Sequence, residues 1–197
     1  FPTRRSSDLN HGEHLSGLRF SSEAEYLVSW GGKMARDGDG TFHVWSTESQ
    51  EEISVVHGER AFIDVVFDPL GGRVAASNGT RAVDTYDLFD GARIESLTNI
   101  LLHTGLRWSQ DGSRLASLST TKFAPVWYMG QRRSAPNTHT HLGTPTQLVC
   151  SGARTFVLHE NGVLATWELE TGAVSAIDTG ALGGVSGISN EDIAGSV

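Results

Sequence analysis

What this chain has little of sets its first bounds. Cys150 is the one cysteine among 197 residues. No disulfide can therefore close within the chain, and nothing marks it as a small stapled secreted fold; a cytoplasmic setting is favoured. No apolar run approaches the roughly 18 residues that cross a bilayer as a helix. Basic residues are scarce as well: 15 Lys and Arg stand against 23 Asp and Glu, a formal charge of −8. Gripping nucleic acid or an anionic membrane takes clustered cations, so neither is an expected partner. No Gly-x-Ser-x-Gly elbow is present, and the serines scatter through turns where serine is common anyway. Hydrolytic chemistry finds no support.

What is abundant is glycine, 23 residues of it, mostly set between short runs of Val, Leu, Thr and aromatics. That is the punctuation of a β-rich chain. One stretch organises the rest: Asn161-Gly-Val-Leu-Ala-Thr-Trp-Glu-Leu-Glu-Thr-Gly172, an Asn-Gly turn, a strand ending on an aromatic and a Thr-Gly turn. Weaker copies end on Trp45, Tyr86 and Trp127, and the four aromatics are spaced by 41, 41 and 40 residues. A regular period of that length marks a stacked array in which each unit supplies a face for its neighbour. The four aromatics are accordingly expected to pack between units and to bind nothing.

Taken in order, residues 1–9 (Phe-Pro-Thr-Arg-Arg-Ser-Ser-Asp-Leu) look like a reading frame of a sequencing-adapter oligonucleotide and are set aside as a processing scar. Units are expected at about 11–56, 57–98, 99–140 and 141–180, with a fifth opening over 181–197. Each should hold four short strands. In the first these are Leu15–Ser21, Tyr26–Gly31, Thr41–Trp45 and Glu52–Val56, with Phe42 and Val44 on one face of the third and His43 and Trp45 on the other. The second opens at His57-Gly-Glu59, an echo of His11-Gly-Glu13, and places its first strand over Phe62–Asp68. The third carries Pro125 inside its third strand, Phe123–Trp127, where a missing N–H predicts a bulge. Its fourth run, Arg132–Thr140, suits only an outer edge. Asn78-Gly and Asn161-Gly are expected to make two-residue hairpins with both residues at positive φ.

Ser109-Gln-Asp-Gly-Ser-Arg-Leu-Ala-Ser117 is similar to the first turn and second strand of a WD40 repeat, and Trp167–Gly172 resembles the end of one. The resemblance covers nearly everything after residue 9. It implies an all-β propeller of four-stranded antiparallel blades, with about four and a half blades present and the ring incomplete. It also implies a buried hydrogen-bonded set, which His11, Ser29, Asp39 and Trp45 would fill in the first repeat. The chain departs from the pattern in reversing the landmark dipeptide to His11-Gly12. Only Tyr86-Asp87 keeps the aspartate after the aromatic, where Ser46, Tyr128 and Glu168 stand in the other repeats, and Asn78 and Asn161 replace the turn acid.

Other motifs have plainer accounts. Asp37-Gly-Asp-Gly-Thr41 lacks the carboxylate and the Glu that a calcium loop would need at 35 and 46, where Ala35 and Ser46 stand, so a glycine-rich turn is expected. His139 and His141 have strand spacing, but a zinc site needs a third ligand and none stands nearby. Arg132 and Arg133 read as a solvated pair. No catalytic, cofactor or metal residue is therefore assigned, and no enzyme activity is expected. By the resemblance, the chain is a scaffold for protein or peptide partners, with contacts on the loops that enter each first strand, at His14, Arg60, His103 and His141. The remaining blades of the same chain are a further expected partner. The other readings are a propeller enzyme or enzyme-gating domain, quinoprotein-like or peptidase-associated, and a structural spacer. An open ring leaves faces and edges uncovered, so the chain alone is expected to aggregate.

Overall fold

The computed structural model describes residues 11, 14–32, 40–98, 103–119, 124–129, 144–151, 154–168 and 174–178. Every regular element among them is a strand. The first sheet comprises β1 (Leu15–Phe20), β2 (Tyr26–Gly32), β3 (Gly40–Ser46) and β4 (Glu52–Gly58). The second comprises β5 (Asp64–Phe67), β6 (Arg73–Ser77), β7 (Ala82–Asp87) and β8 (Arg93–Thr98). β9 (His103–Trp108), β10 (Arg114–Ser119) and β11 (Val126–Tyr128) form the third. β12 (Pro145–Ser151), β13 (Arg154–His159), β14 (Val163–Glu168) and β15 (Val174–Asp178) form the fourth. Within each sheet, strands pair antiparallel in chain order. The first strands line up in succession: β1 beside β5, β5 beside β9, β9 beside β12. These are four consecutive blades of a β-propeller, and the expected fold class holds.

The aromatic period has a register meaning. Trp45, Tyr86, Trp127 and Trp167 each pair across the ladder with a second-strand residue, Leu27, Val74, Leu115 and Thr155. Those four partners occupy one position of the blade, so an interval of about 41 residues returns the chain to the same place one blade on. Alternation then divides each strand between two neighbours. Phe42 and Val44 enter a layer with Phe62, Val65, Phe67, Val74 and Tyr86 of the second blade. His43 and Trp45 stack on the opposite face, ring centroids 5.5 Å apart. Trp127 is buried with Val66, Ala75 and Val83 between the second and third blades. Ala116 and Val126 meet Leu148, Val157 and Ala165 between the third and fourth.

Several local expectations are corrected. β5 is shorter than Phe62–Asp68: Phe62 is buried ahead of the strand against Gly58, and Asp68 leaves it to cap the next turn. β11 starts after Pro125, whose carbonyl accepts from Ser117 N at 3.0 Å, so the proline sits at the strand's mouth and breaks no interior bond. At the Asn-Gly turns only the glycines take positive φ, 70° at Gly79 and 77° at Gly162. The asparagines instead accept the N–H two residues on, Asn161 Oδ1 from Val163 at 3.2 Å and Asn78 Oδ1 from Thr80 at 3.4 Å. These are Asx turns, so neither is the two-residue hairpin expected. His57 and Gly58 are the last residues of β4, so the His-Gly-Glu echo straddles the end of a strand of the first blade. Residues 1–9, 132–140 and 181–197 lie outside the described residues.

Candidate interaction surface

The first blade holds a polar set on the face carrying Trp45. Trp45 Nε1 donates to Ser29 Oγ at 2.9 Å, and Ser29 Oγ lies 3.0 Å from His11 Nδ1. The serine hydroxyl thus bridges the indole and the imidazole. His11 Nε2 faces Thr41 Oγ1 at 3.5 Å. All four residues are buried. Asp39, expected in this set, lies outside the described residues. The register explains why the second and fourth blades differ: the position of Ser29 is taken by Ala76 and Val157, which offer no hydroxyl. Ser117 keeps it in the third. His43 stands beside this set, its ring 4.6 Å from that of His11 and its Nδ1 2.6 Å from Glu52 Oε2.

Antiparallel topology gathers the entry loops at one end of the blades. There Gly32 N donates to the His14 carbonyl at 3.1 Å, and Phe62 N to the Gly31 carbonyl at 3.4 Å. Gly40 packs directly under the backbone of Arg60 and Ala61, where a Cβ would collide with the Arg60 carbonyl. Ile63 N donates to Ser77 O at 2.7 Å, tying the same loop to the Asn78–Arg81 turn of the second blade. The backbone of His14 and Arg60 is thus clamped while both side chains, with those of Ile63 and Arg81, stand in solvent. The structure brings His14 and Arg60 to this end together. His103 begins β9 at the same end, and its side chain, like that of Trp167, is outside the described residues. His141, His139, Arg132, Arg133 and Asp37 are outside them as well.

Sequence reasoning missed Asp64. This buried carboxylate opens β5 and joins three blades. Its Oδ2 accepts from Leu106 N of the third blade at 2.7 Å, and its Oδ1 from Arg19 of the first at 3.2 Å. Arg107 Nη1 lies 3.7 Å from Oδ2. The available signal was faint, a lone acid before the apolar run Val65-Val66-Phe67. Burial lowers the pKa of Arg19, while the charge of Asp64 pushes it back up and that of Arg107 pushes it further down. Tyr86 is pushed up to about 12, first by burial and then by the Asp84 carboxylate beside it. Its hydroxyl therefore stays neutral, as a blade-packing role requires. In the Ser109–Arg114 turn, Asp111 is held down to about 2 by the Ser109 hydroxyl and then by the backbone and side chain of Ser113. Among the described residues no group of three His, Cys, Asp or Glu is placed to hold a metal ion.

No protein-family model and no curated protein matches the sequence. Solved structures do match, 1415 chains of them, so the fold is widely shared and singles out no one function. One is the computationally designed protein Ika8, at TM-score 0.68 and 19% identity, covering 85% of this chain and 50% of that one. Another is a chain in a crystal structure of the mitotic checkpoint complex, at TM-score 0.71 and 16% identity, covering 88% of this chain and 53% of that one. At such identities the likeness is one of fold. The chain spans about half the length of these structures.

Proposed function

We propose that this chain belongs to a protein-interaction propeller of WD40 type, which binds protein or peptide partners through the blade end carrying His14, Arg60, Ile63 and Arg81. One observation carries the reading: exposed basic and apolar side chains stand on a backbone that hydrogen bonds within the first and second blades, and one between them, hold in place. A fixed loop spends little entropy on ordering when it binds, and arginine beside a large apolar group is a combination that protein interfaces favour. The resemblance of Ser109–Ser117 and Trp167–Gly172 to WD40 repeats, and the fold shared with a component of a checkpoint assembly, support the same reading. It assigns the chain binding and no catalysis.

The test compares two double variants in cross-linking capture from cell extract, each checked first for unchanged circular dichroism. Arg60→Glu with Ile63→Asp alters the proposed end. Leu70→Asp with Phe89→Asp alters the opposite end, where both residues are exposed. Loss of a reproducible partner in the first variant and its retention in the second is the expected result. The reverse pattern moves the site to the other end and defeats the assignment. A bound-quinone absorbance in the purified protein would replace the binding reading with an enzymatic one.

A further inference from the structure

The strand order places each first strand at one edge of its sheet, and β1, β5 and β9 run in succession along the inner side of the array. The register shows which places on these strands are equivalent. Arg19, Val66, Arg107 and Val149 share one, since their partners Val28, Ala75, Ala116 and Phe156 are equivalent. Valine meets the packing need there: Val66 is buried in the layer between the second and third blades. The first and third blades put a guanidinium in its place. Asp64 is an exception of the same kind, for its counterparts are Gly17, Thr104 and Gln147, none of them an acid.

Three blades thus bring two arginines to one carboxylate. Arg19 Nη2 donates to Asp64 Oδ1 at 3.2 Å, while Arg107 Nη1, 3.7 Å from Oδ2, donates to the Leu106 carbonyl at 2.6 Å. A guanidinium carries five N–H donors. Among the described residues no other acceptor bonds either arginine, so most of these donors are unspent. Both side chains reach solvent, and the Arg19 guanidinium lies over Trp30 at 5.9 Å from the ring centroid. The Trp30 indole N–H is itself fixed on the Ile63 carbonyl at 3.2 Å. Two positive charges against one negative leave the trio at net +1. Partly exposed ion pairs add little stability, so the fold alone gives small reason for this surplus.

We propose that Arg19 and Arg107 form a carboxylate-binding site on the inner side of the array, anchored on Asp64. The planar fork of arginine matches a carboxylate through two parallel N–H···O bonds. The charge selects the ligand: one carboxylate neutralises a site at +1, whereas a phosphate dianion overshoots it and is repelled by Asp64. The carboxylate is that of an acidic side chain or of a free C-terminus on a peptide. All three strands that build the site are described, and it uses neither Arg60 nor Arg81.

A nuclear magnetic resonance titration of the nitrogen-labelled chain, read at the arginine Nε–Hε signals, tests this. An alanine peptide with one central glutamate and both ends blocked is compared with its glutamine twin and with an all-alanine peptide whose C-terminus is free. Saturable shifts at Arg19 and Arg107 with the glutamate peptide, the free-ended peptide or both are expected, and none with the glutamine twin. Which of the two acts tells side chain from terminus. Arg19→Val with Arg107→Val installs the residue used at this place in the second and fourth blades. It should weaken binding about 10-fold or more with circular dichroism unchanged. Arg60→Gln with Arg81→Gln should leave binding as it was. In competition, acetate should displace the peptide at a lower concentration than inorganic phosphate, and Asp64→Asn, which adds a charge, should move the preference toward phosphate. Silence from both acidic peptides in the parent overturns the proposal, as do equal shifts with the glutamine twin or a double-valine variant that still binds. Loss of binding on changing Arg60 and Arg81, or a preference that ignores Asp64→Asn, overturns it too. The capture experiment above changes none of these three residues, so either proposal can fail without the other.

Discussion

Removing the Asp64 carboxylate should loosen three blades at once. In Asp64→Ala, the buried Leu106 N–H loses the acceptor that it reaches at 2.7 Å. An orphaned buried donor costs about 1–3 kcal/mol. The ionic share is smaller, because the Arg19 and Arg107 side chains are 33% and 41% exposed and return to water when the acid is gone. Partly exposed pairs of this kind contribute about 0–1 kcal/mol. The two ranges sum to about 1–4 kcal/mol for alanine, centred on about 2.5 kcal/mol. Asparagine keeps an oxygen for Leu106 and loses only the charge, so Asp64→Asn should cost about 1 kcal/mol. In urea, with a slope of about 2 kcal/mol/M, the unfolding midpoint should fall by about 1–1.5 M for alanine and about 0.5 M for asparagine. An alanine variant within about 0.2 M of the parent, or an asparagine variant as damaged as alanine, would refute the view that the backbone acceptor dominates.

Three other perturbations have worked outcomes. Trp127 is buried without remainder between the second and third blades, so Trp127→Ala should destabilise by about 3–5 kcal/mol in thermal or urea unfolding, and Trp127→Phe by clearly less. Ser29→Ala strands the Trp45 indole N–H and removes the partner of His11 Nδ1; it should cost about 1–3 kcal/mol and shift the tryptophan emission. Asp111→Ala removes hydrogen bonds in an exposed turn and should cost about 0.5 kcal/mol at neutral pH. Because Asp111 is held down to about 2, its contribution is fully present above the ordinary carboxylate range and is lost as pH falls through about 2. The gap between parent and variant should therefore close on acidification between about pH 4 and pH 2, measured by urea midpoints.

Much of the architecture was legible because the blade imposes a strict beat. An aromatic at the end of each third strand must return to the same register position, so Trp45, Tyr86, Trp127 and Trp167 announce the period however far the turns diverge. Alternation in β3 was equally plain, since Phe42 and Val44 must be apolar to enter the layer shared with the second blade. The polar set was legible only in part. Ser29, His11 and Trp45 belong to a recognisable pattern, yet Thr41 beside His11 and His43 beside Glu52 are contacts that residue spacing does not encode. Asp64 was hidden for a related reason. Its partners Arg19 and Arg107 lie 45 residues before it and 43 after, a separation that only the stacking of first strands makes close. The turns misled because Asn-Gly suits two geometries; the Asn side chain chose the Asx form and left positive φ to the glycine alone. Pro125 misled by one residue, the difference between the interior of a ladder and its mouth.

The central claim is that sheets about 41 residues apart pack face to face in chain order. Nuclear Overhauser contacts in the folded protein test it most directly. The account predicts strong contacts between the Phe42 and Tyr86 rings, whose centroids lie 5.4 Å apart across the first and second blades. It predicts them equally between Arg73 and Trp108, 5.0 Å apart across the second and third. Contacts confined within single sheets, or joining the first blade to the third with the second left out, would contradict it.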